Sequence, residues 1–273
     1  MNKKINNSFS KRASSYDSQS FVQQDVNNRL LNRLNFIKHH KKDILEIGSG
    51  TGCLSQNLIK SYPGINLISM DLSYEMSLIH KDKNLHAKCV TGKAEYPPFK
   101  NEVFDTILSS LTLHWCEIDD SIFKKYYSLL KPGGLFLFSV AGPDTFKEFR
   151  ECPKEIYNKL RFNSFIDMHH YGDYLLNSNF KDPVVDNEQI TLEFSTFDKL
   201  LKSLRLTGTN IISSNQNQTI SKSEYKTIKS SLYNKKTNAY ELTYEVIFGY
   251  ALKHHKTPDK TSKLIEIKEV KKD

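Results

Sequence analysis

The chain has 273 residues, 38% hydrophobic and 26% charged, and carries a formal charge of +8 at pH 7. Those values fit a soluble globular protein made of one large domain, or of one domain and a lid. They exclude a membrane span, because the longest apolar run, around Leu135 to Ala141, is only strand-sized, and the polar start from Met1 to Asn7 excludes a secretory signal.

Residues 1–20 are polar apart from Phe9 and Tyr16. From 21 to 38, Val22, Val26, Leu30, Leu34 and Ile37 recur on one face of an amphipathic helix, with Arg29 and Arg33 together on another. Ile44 to Ile47 reads as a short buried strand, followed at once by the turn Gly48-Ser49-Gly50-Thr51-Gly52 and a helix-like run from Cys53 to Ile59. Leu67 to Asp71 is a second strand, Ser73 to Lys81 a helix, and Cys89-Val90 a short third strand. Phe104 to Ser109 is the fourth strand, and Ser121 to Leu130 is a helix stopped by Lys131-Pro132-Gly133-Gly134. Leu135 to Val140 is the fifth strand. Strands alternating with helices predict an α/β, Rossmann-like fold with a doubly wound, mostly parallel sheet.

Beyond Val140 the pattern changes. Thr145 and Glu148 are spaced for a capping box at a helix start, and Asp173 to Phe180 resumes a helix. Ile190 to Phe194 and Thr243 to Phe248 alternate like strands, with Thr196 to Leu206 helical between them. Residues 207–239 read as loop-rich, and from His254 the Lys-rich end reads as a tail in which Leu264 to Ile267 could add an edge strand. The expected organisation is an N-terminal helical segment closing over the site (1–40), a core (41–141), a lid or substrate insertion (142–182), a completion of the sheet (183–253) and a basic tail (254–273).

The glycine turn at the end of the first strand is where backbone N–H groups meet a ligand in such sheets. A nicotinamide dinucleotide, another nucleotide or S-adenosylmethionine could use it. Two details favour the last: the spacing is G-x-G-x-G rather than G-x-G-x-x-G, and Glu46 lies two residues before the first glycine. An acid there accepts hydrogen bonds from an ammonium group and is a poor neighbour for a pyrophosphate. Asp71 ends the second strand, close to 20 residues on, where an acid accepts ribose hydroxyls. Cofactor contacts are therefore expected from Glu46, Gly48, Ser49, Gly50, Gly52, Asp71 and Leu72. The loop with Ala94 and Glu95 flanks the base, and Ser109 and Leu111 lie at the reactive end. Trp115 is expected in the core. Cys53, Cys89, Cys116 and Cys152 show no metal-ligand spacing and read as reduced thiols of a cytoplasmic protein with no bound metal.

Ile44 to Gly52, Asp71 and Lys131 to Gly134 together resemble class I S-adenosylmethionine-dependent methyltransferases. Phe9 to Tyr16, Ser109 to Cys116, Gly142 to Arg150, Asp167 to Asp173 and Leu242 to Tyr250 narrow the resemblance. They are similar to the malonyl-acyl-carrier-protein O-methyltransferases of biotin synthesis, over roughly residues 9–253. The resemblance implies methylation of the free carboxylate of a malonyl thioester, with acyl-carrier protein as partner and neither nucleic acid nor membrane involved. It implies Tyr16 and Arg150 as a carboxylate clamp, with Lys147, His169 and His170 lining the lid. Lys93 stands where that family commonly has an acid for the adenine amino group, which leaves the backbone of Ala94 to read the base. A basic face of Lys199, Lys202 and Arg205, extended by Arg29 and Arg33, would suit an acidic carrier protein. Three alternatives stay open: modification of a protein arginine, as in relatives of a respiratory complex I assembly factor; methylation of another small carboxylic acid; and cofactor binding without catalysis.

Overall fold

A computed structural model of the chain describes residues 2–18, 20–83, 86–160, 162–206 and 220–255. Its strands are β1 (Asp43–Ile47), β2 (Asn66–Asp71), β3 (Lys88–Thr91), β4 (Phe104–Ser110), β5 (Leu130–Ala141), β6 (Lys181–Phe194), β7 (Tyr233–Asn234) and β8 (Ala239–Leu252). The helices are α1 (Asn2–Ser10), α2 (Phe21–Phe36), α3 (Cys53–Ser61), α4 (Tyr74–Asp82), α5 (Asp120–Leu129), α6 (Lys154–Tyr157), α7 (Met168–Asn177), α8 (Phe197–Leu206) and α9 (Lys222–Ser231). The sheet runs β3-β2-β1-β4-β5-β8-β6, with β7 pairing on β8. Its first five strands are parallel, and β8 and β6 are antiparallel.

Alternation along the central strands sorts the core into two layers. Ile44, Leu108, Leu135 and Leu137 face α2 and α3, meeting Val26, Leu30, Leu34, Leu54 and Leu58. Leu45, Ile47, Ile107, Phe136 and Phe138 face the other way, onto Phe123 and Tyr126 of α5 and Tyr171 and Leu175 of α7. Helices on both faces leave the carboxyl ends of β1, β2 and β4 open on one side, which is where such sheets take their ligands.

Several elements differ from the expectation. The polar N-terminus forms α1, and Lys222–Ser231 forms α9 within the stretch read as loop. Lys131 to Gly134 do not stand apart from the fifth strand but bulge within β5, which pairs Phe104 with Leu130 and then Thr106 with Leu135. The expected capping box at Thr145 does not form. Its Oγ1 donates to the Glu245 carbonyl, and the next residue, Phe146, takes a left-handed φ of 62° while its N–H bonds Thr243. Strand β8 has claimed the groups that a helix start would use, and only a short 3-10 turn, Lys147–Glu151, follows. Leu264 to Ile267 lie outside the described residues.

The segment before α2 is tied down across the top of the sheet. Ser10 Oγ lies 2.9 Å from Ser73 Oγ and also donates to Glu75. Asp17 accepts from Thr51 of the glycine turn and pairs with Lys83 at 2.7 Å.

Candidate active site

The glycine turn is held by its neighbours rather than by its own side chains. The N–H groups of Gly48 and Ser49 both donate to the Met70 carbonyl, at 2.7 and 3.1 Å, so the turn is clamped to the end of β2. Gly48 has φ +74° and a Cβ there would lie 1.9 Å from Thr112 Oγ1, which makes the position closed to any side chain. Gly50 has φ +53°, its N–H donates to Asp71 at 2.8 Å, and the space where its Cβ would be is open.

Asp71 and Glu46 provide the acidic end of the pocket. Asp71 accepts from the N–H groups of Gly50 and Ser73, each at 2.8 Å, and burial still raises its carboxyl above the ordinary range. Glu46 is 2% exposed. Burial pushes it up to about 7, against the hydrogen bonds from Ser55 and Ser69 and with the help of the nearby Asp71 charge. Two carboxyls whose surroundings resist ionisation are matched to a cationic ligand, whose charge offsets their desolvation. Leu72, Gly92, Ala94 and Glu95 continue the lining. The carbonyl of Ala94 is engaged by the Tyr126 hydroxyl at 2.9 Å.

At the carboxyl ends of β4 and β5 the lining changes to rings. Tyr16 packs on Phe9 with ring centres 6.3 Å apart, Phe9 on Trp115 at 5.6 Å, Trp115 on His114 at 5.0 Å, and His114 on Phe165 at 5.5 Å. This belt joins α1, the 3-10 turn Leu113–Trp115 and the segment before α7 into one wall. The Ala141 N–H donates to His114 Nδ1 at 3.3 Å, which puts the imidazole proton on Nε2. Burial drops the ring to about 3, so it stays neutral. Burial, with the charges of Asp71 and Asp17, raises the Tyr16 phenol and keeps it protonated.

A methyltransferase-domain family model matches residues 45–138. The malonyl-[acyl-carrier protein] O-methyltransferase of Legionella pneumophila is 31% identical over 93% of this chain and 91% of its own length. The enzyme of the same name from Gallionella capsiferriformans is 32% identical, over 92% and 90%. The chain belongs to the malonyl-[acyl-carrier protein] O-methyltransferase family. Among solved structures, phosphoethanolamine N-methyltransferase 2 of Haemonchus contortus, in complex with S-adenosyl-L-methionine, superposes with a TM-score of 0.52 at 20% identity, covering 84% of this chain and 52% of that one. The protein is thus an S-adenosylmethionine-dependent methyltransferase of the class I fold. The turn that only glycine fits at 48, the open face at Gly50 and the paired acids are suited to that cofactor.

Within this family member, Glu46, Gly48, Ser49, Gly50, Asp71, Leu72, Ala94, Glu95 and Leu111 all line the pocket, together with Tyr16. Gly52 sits behind the turn as the residue before α3, and Ser109 is fully buried with its hydroxyl donating to the Ile47 carbonyl at 3.2 Å. Neither is among the lining residues. Arg150 also stays outside: Asp144 holds its guanidinium at 2.7 Å, the Pro143 carbonyl takes a second N–H, and the side chain is 46% exposed. Lys147 reaches Gln189 at 2.6 Å instead of the pocket. His169 and His170 are exposed in the first turn of α7, where Asp167 caps the helix and holds the His169 ring. Arg29 and Arg33 are not part of a free basic face. Arg33 lies 2.8 Å from Asp186 and also pairs with Glu188, which takes Arg29 as well. Lys199 and Lys202 are exposed on α8, and the side chain of Arg205 lies outside the described residues.

Sequence reasoning missed His114 and Phe165, and placed Trp115 in the core rather than in the pocket wall. His114 and Trp115 lie inside the run from Ser109 to Cys116, but the direction of a ring leaving a strand through a 3-10 turn has no period to betray it. Among the described residues no helix is long and apolar enough to cross a membrane.

Proposed function

We propose that the protein transfers a methyl group to the free carboxylate of a malonyl thioester carried on acyl-carrier protein, giving the methyl ester. The observation that carries this reading is the two-ended pocket: acids at the β1 and β2 end, neutral hydrogen-bond donors in a ring of aromatics at the β4 and β5 end. The names of the relatives support the same substrate.

When bound, S-adenosylmethionine supplies an electrophilic methyl on a sulfonium. A carboxylate is ionised at neutral pH and needs no general base, so the residues have to place it and exclude water. Tyr16 donates its phenolic proton to one carboxylate oxygen. His114 offers Nε2–H to the same end of the pocket, its tautomer fixed by Ala141. Neutral donors hold the anion without the charge neutralisation of an ion pair, and so leave its oxygen nucleophilic. Phe9, Trp115 and Phe165 keep the surroundings dry. In this reading residues 1–40 close over the site and 142–182 form the lid. The esterified malonyl group then presents no charge to chain-elongating enzymes, the role in biotin synthesis that the resemblance implies.

The test is incubation with methyl-labelled cofactor and malonyl carrier protein, followed by mass measurement of the acyl group. A gain of one methylene on the malonyl group is expected. Label on protein side chains, or none on malonyl, overturns the reading.

A further inference from the structure

A second depression adjoins the pocket and includes Lys199 and Lys202 of the basic face on α8. Phe21 and Val22 at the start of α2, with Leu192 and Phe194 at the end of β6, form its apolar floor. Lys199 and Lys202 of α8 stand at its rim with Glu193. Tyr244 belongs to both linings, and its ring packs edge-on against Phe146 of the pocket wall at 4.9 Å. Phe21 is 67% exposed there.

We propose that this groove receives the phosphopantetheine arm of the carrier protein, with Lys199 and Lys202 taking its phosphodiester. The inference rests on the malonyl reading above. A thioester whose malonyl end lies in the pocket must leave it along a channel that tolerates two amides and a geminal dimethyl group, and must end on a permanently ionised phosphate. The groove offers each of those chemistries: the Tyr244 ring that it shares with the pocket, the apolar side chains of Phe21, Val22, Leu192 and Phe194, and the ammonium groups of Lys199 and Lys202. Two lysines against the single acid Glu193 leave the rim net positive.

The charge is also available. The neighbouring cations of α2 are committed, Arg29 to Asp25 and Glu188 and Arg33 to Asp186 and Glu188. The Lys199 ammonium donates to the neutral Ser195 hydroxyl at 2.9 Å, and among the described residues neither Lys199 nor Lys202 forms an ion pair. A phosphate at the rim would give both a partner without displacing one. The bases of the two side chains are fixed by the burial of Leu200 and Leu204 on the opposite side of α8.

Three thioesters separate the possibilities: malonyl carrier protein, malonyl-phosphopantetheine and malonyl-pantetheine, which lacks the phosphate. Wild-type enzyme should prefer malonyl-phosphopantetheine to malonyl-pantetheine in kcat/KM by about tenfold, the size of one charge-assisted contact. In the paired variant Lys199→Glu, Lys202→Glu that ratio should collapse to about one, with the loss carried by KM and weaker at high salt. The paired variant Lys199→Gln, Lys202→Gln should give an intermediate ratio. Circular dichroism checks that each variant is folded. A ratio that does not change overturns the phosphate site. A loss confined to the carrier-protein substrate also overturns it, and would make the lysines a contact for the protein surface. Failure of wild-type enzyme to methylate any of the three overturns the malonyl reading, and the arm with it.

Discussion

The two ends of the pocket are built in different ways. At the β1 and β2 end the contacts are mainly backbone: a glycine turn clamped to the Met70 carbonyl and a carboxylate caught between two N–H groups, all within the span from Glu46 to Ser73. At the β4 and β5 end they are side chains delivered from four separate segments, with Tyr16, His114, Phe165 and Tyr244 drawn from across the chain. A backbone site fixes one ligand shape and tolerates change in most side chains around it. A site made of converging side chains is specific through their exact identities and is easily retuned. On the proposed reading the shared cofactor is met by the first and the particular substrate by the second.

The comparison can be broken most directly at Asp71. Asp71→Ala should weaken cofactor binding by about 1.5–3 kcal/mol, the cost of hydrogen bonds to a charged group. Asp71→Asn, which keeps an acceptor for Gly50, should lose less. Calorimetry giving wild-type affinity for a folded Asp71→Ala protein would remove Asp71 from the site.

At the other end the effect should be smaller and of a different kind. Tyr16→Phe and His114→Leu should each lower kcat/KM for the malonyl substrate about tenfold while leaving cofactor affinity in place, and His114→Gln, which retains a donor, should recover part of the loss. Parallel loss of cofactor affinity in both variants would mean that the two ends are not separate sites.

Glu46 links binding to pH. Its carboxyl in the fold titrates near 7 rather than at the ordinary 4.5. A raised pKa means that its favourable contribution is complete below about pH 4.5 and is lost as pH rises through about 7. The cofactor-free protein should therefore lose melting temperature over that window, and Glu46→Gln should flatten the slope. Binding of a cation beside it should expel the proton, so calorimetric enthalpies near pH 6.5 should vary with the ionisation heat of the buffer. A buffer-independent enthalpy would show that Glu46 is not coupled to the ligand.

The smallest change is expected away from both ends. Arg33→Ala removes partly exposed ion pairs and a guanidinium 3.8 Å above the Phe248 ring. It should cost about 1 kcal/mol of stability in denaturant titration and leave KM for the carrier-protein substrate unaltered. A rise in KM would return Arg33 to a docking role.

The same contrast explains what was legible in the sequence. Strands β1, β2 and β4 and the glycine turn are written in contiguous apolar runs and a fixed spacing, so their extents could be read to within a residue or two. Helices α1 and α9 are polar, with only Ile5 and Phe9 in the first and Tyr225 and Ile228 in the second to mark an apolar side. For α9 there was nevertheless a signal, since Ser221 and Glu224 form the reciprocal cap that their spacing allows. Thr145 and Glu148 have the same spacing and form none, because β8 takes the hydroxyl and the following N–H. Local pattern offers the possibility, and long-range pairing decides it. Arg29 and Arg33 make the same point for charge. They read as a free basic face because Asp186 and Glu188, more than 150 positions away, are invisible from the helix itself.

The two margins of the sheet have a consequence for the protein in concentrated solution. An outer strand presents unpaired N–H and C=O groups that a second chain can zip onto. Here β3 has only four residues, too few to template an extended ladder. At the opposite margin of the sheet formed by the described residues β6 is long, but near its start it has Pro183, which has no N–H, beside a register shift between Lys181 and Val184. A strand interrupted near its start by a proline and a bulge discourages edge-to-edge polymerisation, so the long β6–β8 ribbon can exist without becoming a seed for aggregates.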